Sequence, residues 1–385
     1  MIYFASYGHR LVSYFFLKEA LMKKSGMMLT VCVCFFMLSL LLFPEEMTSA
    51  ALRGLSLWLC RVVPSLFPFL TACGVLFRLG AAERAGRCFQ PFMRPLFGLS
   101  GISAFPFFLG ALSGYPMGAK LTASLYEKGL LSLEEARHTL FFSNLAGPLF
   151  LVGTVGTSFF GLPAAGYLLL LSSFLGAVCT GLFYRTKKRR VFPSSCFPRS
   201  ASLSPMHALS ASVSDAVETI LQIGGFLILF SVLTEALETC AVFSLLSAVF
   251  SFLPLSPSFI KGFFCGLLEM TNGCALLSAS PDALRLRLAV ASFLTSFGGL
   301  SVLGQTFSVI PSLPVSKKEY LFAKLLHAVF SSGFCLFFCG FVLPASKKAV
   351  PVCTLSAGTA LPSSYFCFCL FLLGTLLPFF KRKDS

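Results

Sequence analysis

What most constrains this chain is a succession of apolar runs, each close to the length that crosses a bilayer, separated by short clusters of Lys and Arg. Runs near 27–43, 57–77, 139–158, 163–183, 217–237, 287–310, 320–343 and 364–380 carry little charge. Roughly 20 apolar residues in helical form span a hydrocarbon core of about 30 Å, and a helix satisfies its backbone N–H and C=O groups internally, as lipid requires. Composition bears on one point: 56% of the 385 residues are hydrophobic and 12% are charged, whereas soluble domains carry about 25% charged residues. The sequence therefore predicts an all-α polytopic membrane protein. The net charge of +15 is read as loop topology, because the basic residues lie between the apolar runs. The lipid bilayer is the expected partner and nucleic acid is not.

Two further apolar stretches, 100–126 and 258–280, are interrupted in the middle. Loop charge decides how they lie. Lys and Arg concentrate before residue 27, at 78–94, at 185–199, at Lys317-Lys318 and at Lys381-Arg382-Lys383, and positive charge marks cytoplasmic loops. All five clusters share one side only if both interrupted stretches are re-entrant helical hairpins, which places both termini in the cytoplasm. Segment 241–254 is short for a span and runs into "PLSPS", so it is expected to be an interfacial or connecting helix. Residues 1–26 are basic; Met22, Met27 and Met28 leave the start of translation open, and no function is placed there. Phe43-Pro44-Glu45-Glu46 is a poor signal-cleavage site, which favours a retained first span. The cysteines have no Cys-x-x-Cys spacing, and His9, His138, His207 and His327 stand far apart. These patterns predict neither a metal nor a cofactor.

The interruption recurs. Shifted by 156 residues, "FFLGALSGYPMGAKLTAS" from Phe107 falls on "FFCGLLEMTNGCALLSAS" from Phe263, with eight of eighteen positions identical and no gap. Downstream, "SNLAGPLFLVGT" from Ser143 resembles "TSFGGLSVLGQT" from Thr295, each an apolar run interrupted by small residues. Three crossings separate the two units, so they point oppositely. The expected architecture is an inverted repeat of transmembrane helices with two re-entrant helical hairpins, an arrangement that places a transporter's site where broken helices meet. The expected parts are 1–56 (N-terminal segment and first span), 57–184 (first repeat), 185–214 (basic cytoplasmic loop), 215–345 (second repeat) and 346–385 (C-terminal span and basic tail).

Candidate binding residues are the polar groups where an apolar run should continue. Ser113, Gly114 and Tyr115 form a turn ahead of Pro116, and the helix start behind it offers free N–H groups to an anion. Lys120 adds a charge there, unless it snorkels to the interface. Glu269 and Asn272 are spaced to share one helix face, beside Thr271. An intramembrane carboxylate is a functional candidate by default: it suits a coupling proton or sodium ion, or a substrate hydrogen bond, or it is paired structurally with Lys120 or a backbone turn. Asn144, Ser296 and Gln305 stand beside the small-residue interruptions Gly147-Pro148 and Gly298-Gly299. "LSLEEARH" reads instead as a helix start, with a capping box from Ser132 to Glu135. No catalytic arrangement is present in the pattern, which is one of scattered binding groups.

"SGYPMGAKLTASLYEKGLLS", "SNLAGPLFLVGTVGTSFFG", "GLLEMTNG" and "SFGGLSVLGQ" together resemble the YlbJ family of sporulation integral membrane proteins, over about residues 57–345. The resemblance implies a layout similar to the nucleoside-recognition "Gate" group and the central repeats of concentrative nucleoside transporters. It also implies a transporter in the outer forespore membrane, moving dipicolinate toward the forespore. The family pattern has His after "GGLSV" where this chain has Leu303. A small anionic substrate is thus expected, with Lys120 and helix starts for its carboxylates and Tyr115 for its ring. A nucleoside carrier and a non-transporting spore-assembly scaffold are the alternatives, and homo-oligomerisation is left open.

Overall fold

The computed structural model describes Met27, residues 30–185 and residues 204–342. Among them every regular element is helical. The first, α1 (Thr30–Leu42), turns by 106° into α2 (Pro44–Leu57). At 1.5 Å per residue α1 is about 20 Å long, too short for the expected span over 27–43. Pro44 is the cause: it has no N–H to extend the ladder and drives Phe43 out of helical geometry (φ −129°, ψ 58°). From α2 the chain runs through a π-helical turn, Trp58–Val62, into α3 (Val63–Arg78). The expected span at 57–77 is therefore the second half of a longer helix, with its wide turn just ahead of Pro64 and Pro68.

Residues 78–94 are not a loop. They belong mostly to α4 (Ala81–Phe97), which leaves α3 at 82°. Ala82, Gly86, Met93 and Phe97 form its buried stripe while Arg84, Arg87 and Arg94 are exposed, the two-faced pattern of a helix lying in a membrane surface.

The first hairpin follows as α5 (Ala104–Ser113) and α6 (Met117–Glu127). Then α7 (Leu133–Ser143) starts on the expected capping box: Glu135 N–H donates to Ser132 Oγ and Ser132 N–H to the Glu135 carboxylate. It stops at Asn144, and the chain resumes as a π-helix over Leu149–Phe159, so 139–158 is a broken span. The helix α8 (Pro163–Phe183) coincides with the expected run. The same order then recurs. A long helix, α9 (Pro205–Thr239), takes up residues 205–214 of the expected basic loop. An eight-residue connector, α10 (Val242–Val249), is too short to cross a bilayer. The second hairpin is α11 (Pro257–Leu268) with α12 (Met270–Ala279). A broken pair, α13 (Leu284–Phe297) and α14 (Gly299–Val309), and the helix α15 (Lys317–Val342) complete it. The span expected at 364–380, the C-terminal tail, residues 1–26 and the basic run 186–199 lie outside the described residues.

The hairpin arms run to 10–12 residues, or about 15–18 Å, half the thickness of the hydrocarbon core. They pack antiparallel through glycine: Gly110 against Gly118, and Gly266 against Gly273. The first hairpin also presses on the end of α7, where a methyl group on Gly118 would lie 2.0 Å from the Ser143 carbonyl oxygen. In the second half the break falls at Gly298, whose φ of 92° is a conformation that residues with a Cβ adopt at a cost.

In the assembled fold α15 packs along α8 and α13, and α9 along α2 and α3. The outer faces stay apolar. Leu209, Val213, Val217 and Leu221 form an exposed ridge on α9, as Leu321, Leu325 and Val329 do on α15, a surface suited to lipid rather than water. Among the described residues, Pro163–Phe183, Pro205–Thr239, Leu284–Val309 and Lys317–Val342 are each long and apolar enough to cross a membrane. The chain is a polytopic integral membrane protein.

Candidate substrate site

The two hairpin tips and the two helix breaks converge. Between them and the α3–α9 pair lies a cavity of about 590 Å³. Hairpin one contributes Ser113, Gly114 and Tyr115, hairpin two Glu269 and Thr271, and α14 Val302 and Gln305. The remaining wall is largely apolar, with Leu66, Phe69, Ile223 and Leu227 on one side and Phe150 near the first break. Among the described side chains Glu269 is the cavity's one carboxylate, and none of those that line it with Glu269 is a lysine or arginine.

The sequence pattern places Glu269 and Asn272 on one helix face, and the structure corrects this. Glu269 is the break itself, in extended geometry (φ −140°, ψ 112°), and it caps α12. Its two carboxylate oxygens accept the Thr271 N–H at 3.0 Å and the Asn272 N–H at 2.8 Å. The cap uses the positive end of the α12 dipole, so that helix start is already occupied by an anion belonging to the protein. Asn272 acts here through its backbone.

Tyr115 closes the cavity on the side of the first break. Its hydroxyl reaches the carbonyls of Thr295 and Ser296, each at 3.1 Å, in the last turn of α13. Behind it lies Lys324 of α15, which is 1% exposed. Lys324 Nζ donates to the Tyr115 hydroxyl at 2.9 Å, to the Asn144 carbonyl at 3.0 Å and to His327 Nδ1 at 3.3 Å. His327 Nε2 donates in turn to the Ser173 carbonyl at 2.9 Å, which leaves Nδ1 as an acceptor. Asn144 uses its side-chain amide as well, donating to Thr306 Oγ1 at 2.9 Å and to the Tyr320 hydroxyl at 2.8 Å. One asparagine thus ties the end of α7 to α14 and α15.

Similarity to known proteins coincides with this region. Residues 59–163, which hold the first hairpin and the first break, match the Gate family, described as "Nucleoside recognition". Over 314 residues, covering 76% of this chain and 77% of the relative, the chain is 30% identical to the "Sporulation integral membrane protein YlbJ" of Bacillus subtilis (strain 168). The chain belongs to the YlbJ family. Two structures of CNTnw variants in an outward-facing state share its fold, with TM-scores of 0.51 and 0.50, 13% and 14% identity, and coverage of 84% of this chain and 87% of theirs. At that identity the likeness is one of fold, and it groups this YlbJ-family chain with the concentrative nucleoside transporters in architecture.

Of the ten residues that the sequence singles out, Ser113, Gly114, Tyr115, Glu269, Thr271 and Gln305 line the cavity of this YlbJ-family protein. Ser296 and Asn144 sit behind it, joined to Tyr115 directly and through Lys324. Lys120 is elsewhere. It leaves α6 on the α9 side, where Nζ donates to the Asp215 carbonyl at 3.1 Å and to Thr219 Oγ1, in a separate pocket of about 70 Å³ shared with Arg78. It neither lines the cavity nor pairs with Glu269. The residues that the sequence reading passed over are Lys324 and His327. Their signal is an ionisable pair at i, i+3 inside a spanning run, which is costly in lipid unless it serves a purpose.

Proposed function

We propose that this YlbJ-family protein is a transporter acting in sporulation, which carries a small planar aromatic acid of the dipicolinate type across the outer forespore membrane through the cavity between its hairpin tips. The observation that carries the reading is the cavity: its volume lies in the range of small-molecule sites, about 300–1,000 Å³, and it sits where two interrupted helices and two hairpins expose backbone polar groups. Apolar walls at Val302 and Leu227 suit a ring; the Gln305 amide supplies a donor for its polar edge, while the Ser113 hydroxyl, which donates to the Leu109 carbonyl, offers an acceptor. We read the two units as an inverted repeat, since the recurring element order is separated by an odd number of crossings in the topology that loop charge favours.

A second reading is favoured by one observation. Among the described side chains Glu269 stands in the cavity wall with no cation beside it, an environment that welcomes the N–H and O–H groups of a neutral solute such as a nucleoside more readily than a dianion. The two readings separate in one experiment: uptake of labelled dipicolinate and, in parallel, of labelled uridine into proteoliposomes of the purified chain, each challenged with unlabelled dipicolinate or uridine. Uptake blocked by dipicolinate alone supports the first reading, and uridine uptake blocked by uridine supports the second. Accumulation of neither solute refutes both and leaves a non-transporting role in spore assembly.

A further inference from the structure

We infer that Lys324 is a resident cation, occupying the place that a mobile coupling cation takes in carriers with broken helices, so that this protein binds no sodium ion there and its cycle runs without one. The claim about the cycle rests on the transport reading; the claim about the site does not.

The neighbours of Nζ are those an ammonium group needs. Nζ has three neighbours within reach: the Tyr115 hydroxyl, the Asn144 carbonyl and His327 Nδ1. Each is an acceptor toward it. A carbonyl can only accept; the Tyr115 hydroxyl has the Thr295 and Ser296 carbonyls as acceptors for its own proton; and His327 Nε2 faces the Ser173 carbonyl, which leaves Nδ1 to accept. Three acceptors around one nitrogen match the three N–H groups of an ammonium, and Lys324 is taken in that form. Among the described residues no carboxylate pairs with it.

The compensating charge comes from the backbone. Asn144 terminates α7, and Thr295 and Ser296 belong to the last turn of α13, so two half-helices aim their C-terminal ends at one point. Each such end carries about half a negative charge, and the two together amount to roughly one, which matches one ammonium. A cation held by neutral oxygens at half-helix C-termini is the arrangement by which carriers coordinate sodium. Here a side chain of the protein delivers the cation, and all three of its N–H groups are spent on the protein, leaving none for a solute. At 1% exposure it is also closed off from the cavity by Tyr115.

The test is thermal unfolding of the purified full-length chain in detergent, in NaCl against choline chloride at equal ionic strength. The wild-type protein is expected to melt within about 1 °C in the two salts, as a protein with no sodium linkage should. Lys324→Ala, which empties the position while keeping its oxygens, is expected to melt lower and to recover in NaCl or ethylammonium chloride. For a site of about 1 mM affinity, 100 mM cation would raise Tm by roughly 3 °C. Lys324→Met, which refills the volume without charge, should show no such recovery. Sodium-dependent stabilisation of the wild type by several degrees overturns the inference, as does a folded Lys324→Ala protein indifferent to every cation. Should Lys324→Ala fail to fold, the wild-type comparison decides by itself. These readings need no substrate, so a failure to observe uptake of dipicolinate or uridine would count against the transport reading and leave the cation assignment standing.

Discussion

Replacing Glu269 by Gln tests how the second hairpin is held. Both oxygens of the carboxylate accept from the first turn of α12, one from Thr271 and one from Asn272. Gln keeps a single acceptor; its NH₂ group must then face a backbone N–H, donor against donor. The variant loses one charge-assisted hydrogen bond, worth about 1.5–3 kcal/mol, and a favourable charge at a helix start, worth about 0.3–1 kcal/mol. Taken together the cost is about 2–4 kcal/mol; at about 2.1 cal/mol/K per residue a chain of 385 residues shifts by roughly 1.2 °C per kcal/mol, so the Tm should fall by roughly 2–5 °C. Protonation of the wild-type carboxyl does not rescue the comparison, because a carboxylic O–H oxygen retains a lone pair and an amide nitrogen has none to offer. The assay is unfolding of wild type, Glu269→Gln and Glu269→Ala in one detergent, with Ala at least as low as Gln. A Gln variant that melts within about 1 °C of the wild type would refute the capping argument, since the fall expected is at least about twice as large.

Three further outcomes are expected. Gly118→Ala places a methyl group 2.0 Å from the Ser143 carbonyl oxygen, and overpacking of that kind costs about 1–3 kcal/mol or more; the yield of monodisperse protein on size-exclusion chromatography should drop, and an unchanged yield and Tm would show that the hairpin is not seated as described. Lys120→Ala breaks the contacts to Asp215 and Thr219, lowering stability by about 1 kcal/mol while leaving the KM of the transported solute unchanged, because Lys120 lies outside the cavity; a large rise in KM would contradict that placement. Arg137→Ala removes an ion pair with Glu319 between α7 and α15 that is partly open to solvent, and its effect on Tm should stay within the equivalent of about 1 kcal/mol.

Helix order, both hairpins and both breaks were legible because lipid leaves the chain few options: span-length apolar runs must be helical, and small or proline residues inside them mark where the ladder opens. Gly114 and Pro116 announce the first tip in that way. The second tip carries no such marker, since Leu268, Glu269 and Met270 are ordinary helix residues, and only the structure shows that the break falls on Glu269. Counting charge hid α4: Arg84, Arg87 and Arg94 look like a loop until they are set against the spacing of Ala82, Gly86, Met93 and Phe97. Lys120 misled for a different reason. Its position one turn into α6 says nothing about which side of the hairpin meets the cavity, and that is settled by how α6 packs on α9. Lys324 was masked by Leu321, Phe322, Leu325 and Leu326 around it, which keep the run apolar on average while its partners are the tip of the first hairpin, the end of α7 and His327 on its own helix.

The glycine contacts carry a mechanical implication. At the first hairpin, Gly110 and Gly118 meet the Ser143 carbonyl with no side chain between them; at the second, Gly299 faces the carbonyls of Gly266 and Leu268 in the same way but less tightly. Side chains yield by changing rotamer, but main chain in contact with main chain has no such give. Sliding a hairpin along its neighbouring broken helix would drive one backbone into the other within a fraction of an ångström. Each hairpin and the interrupted helix that follows it must therefore move as one rigid block. In the transport cycle proposed above, this cavity would open by two such blocks turning against the surrounding helices, with each hairpin tip staying fixed to its broken helix.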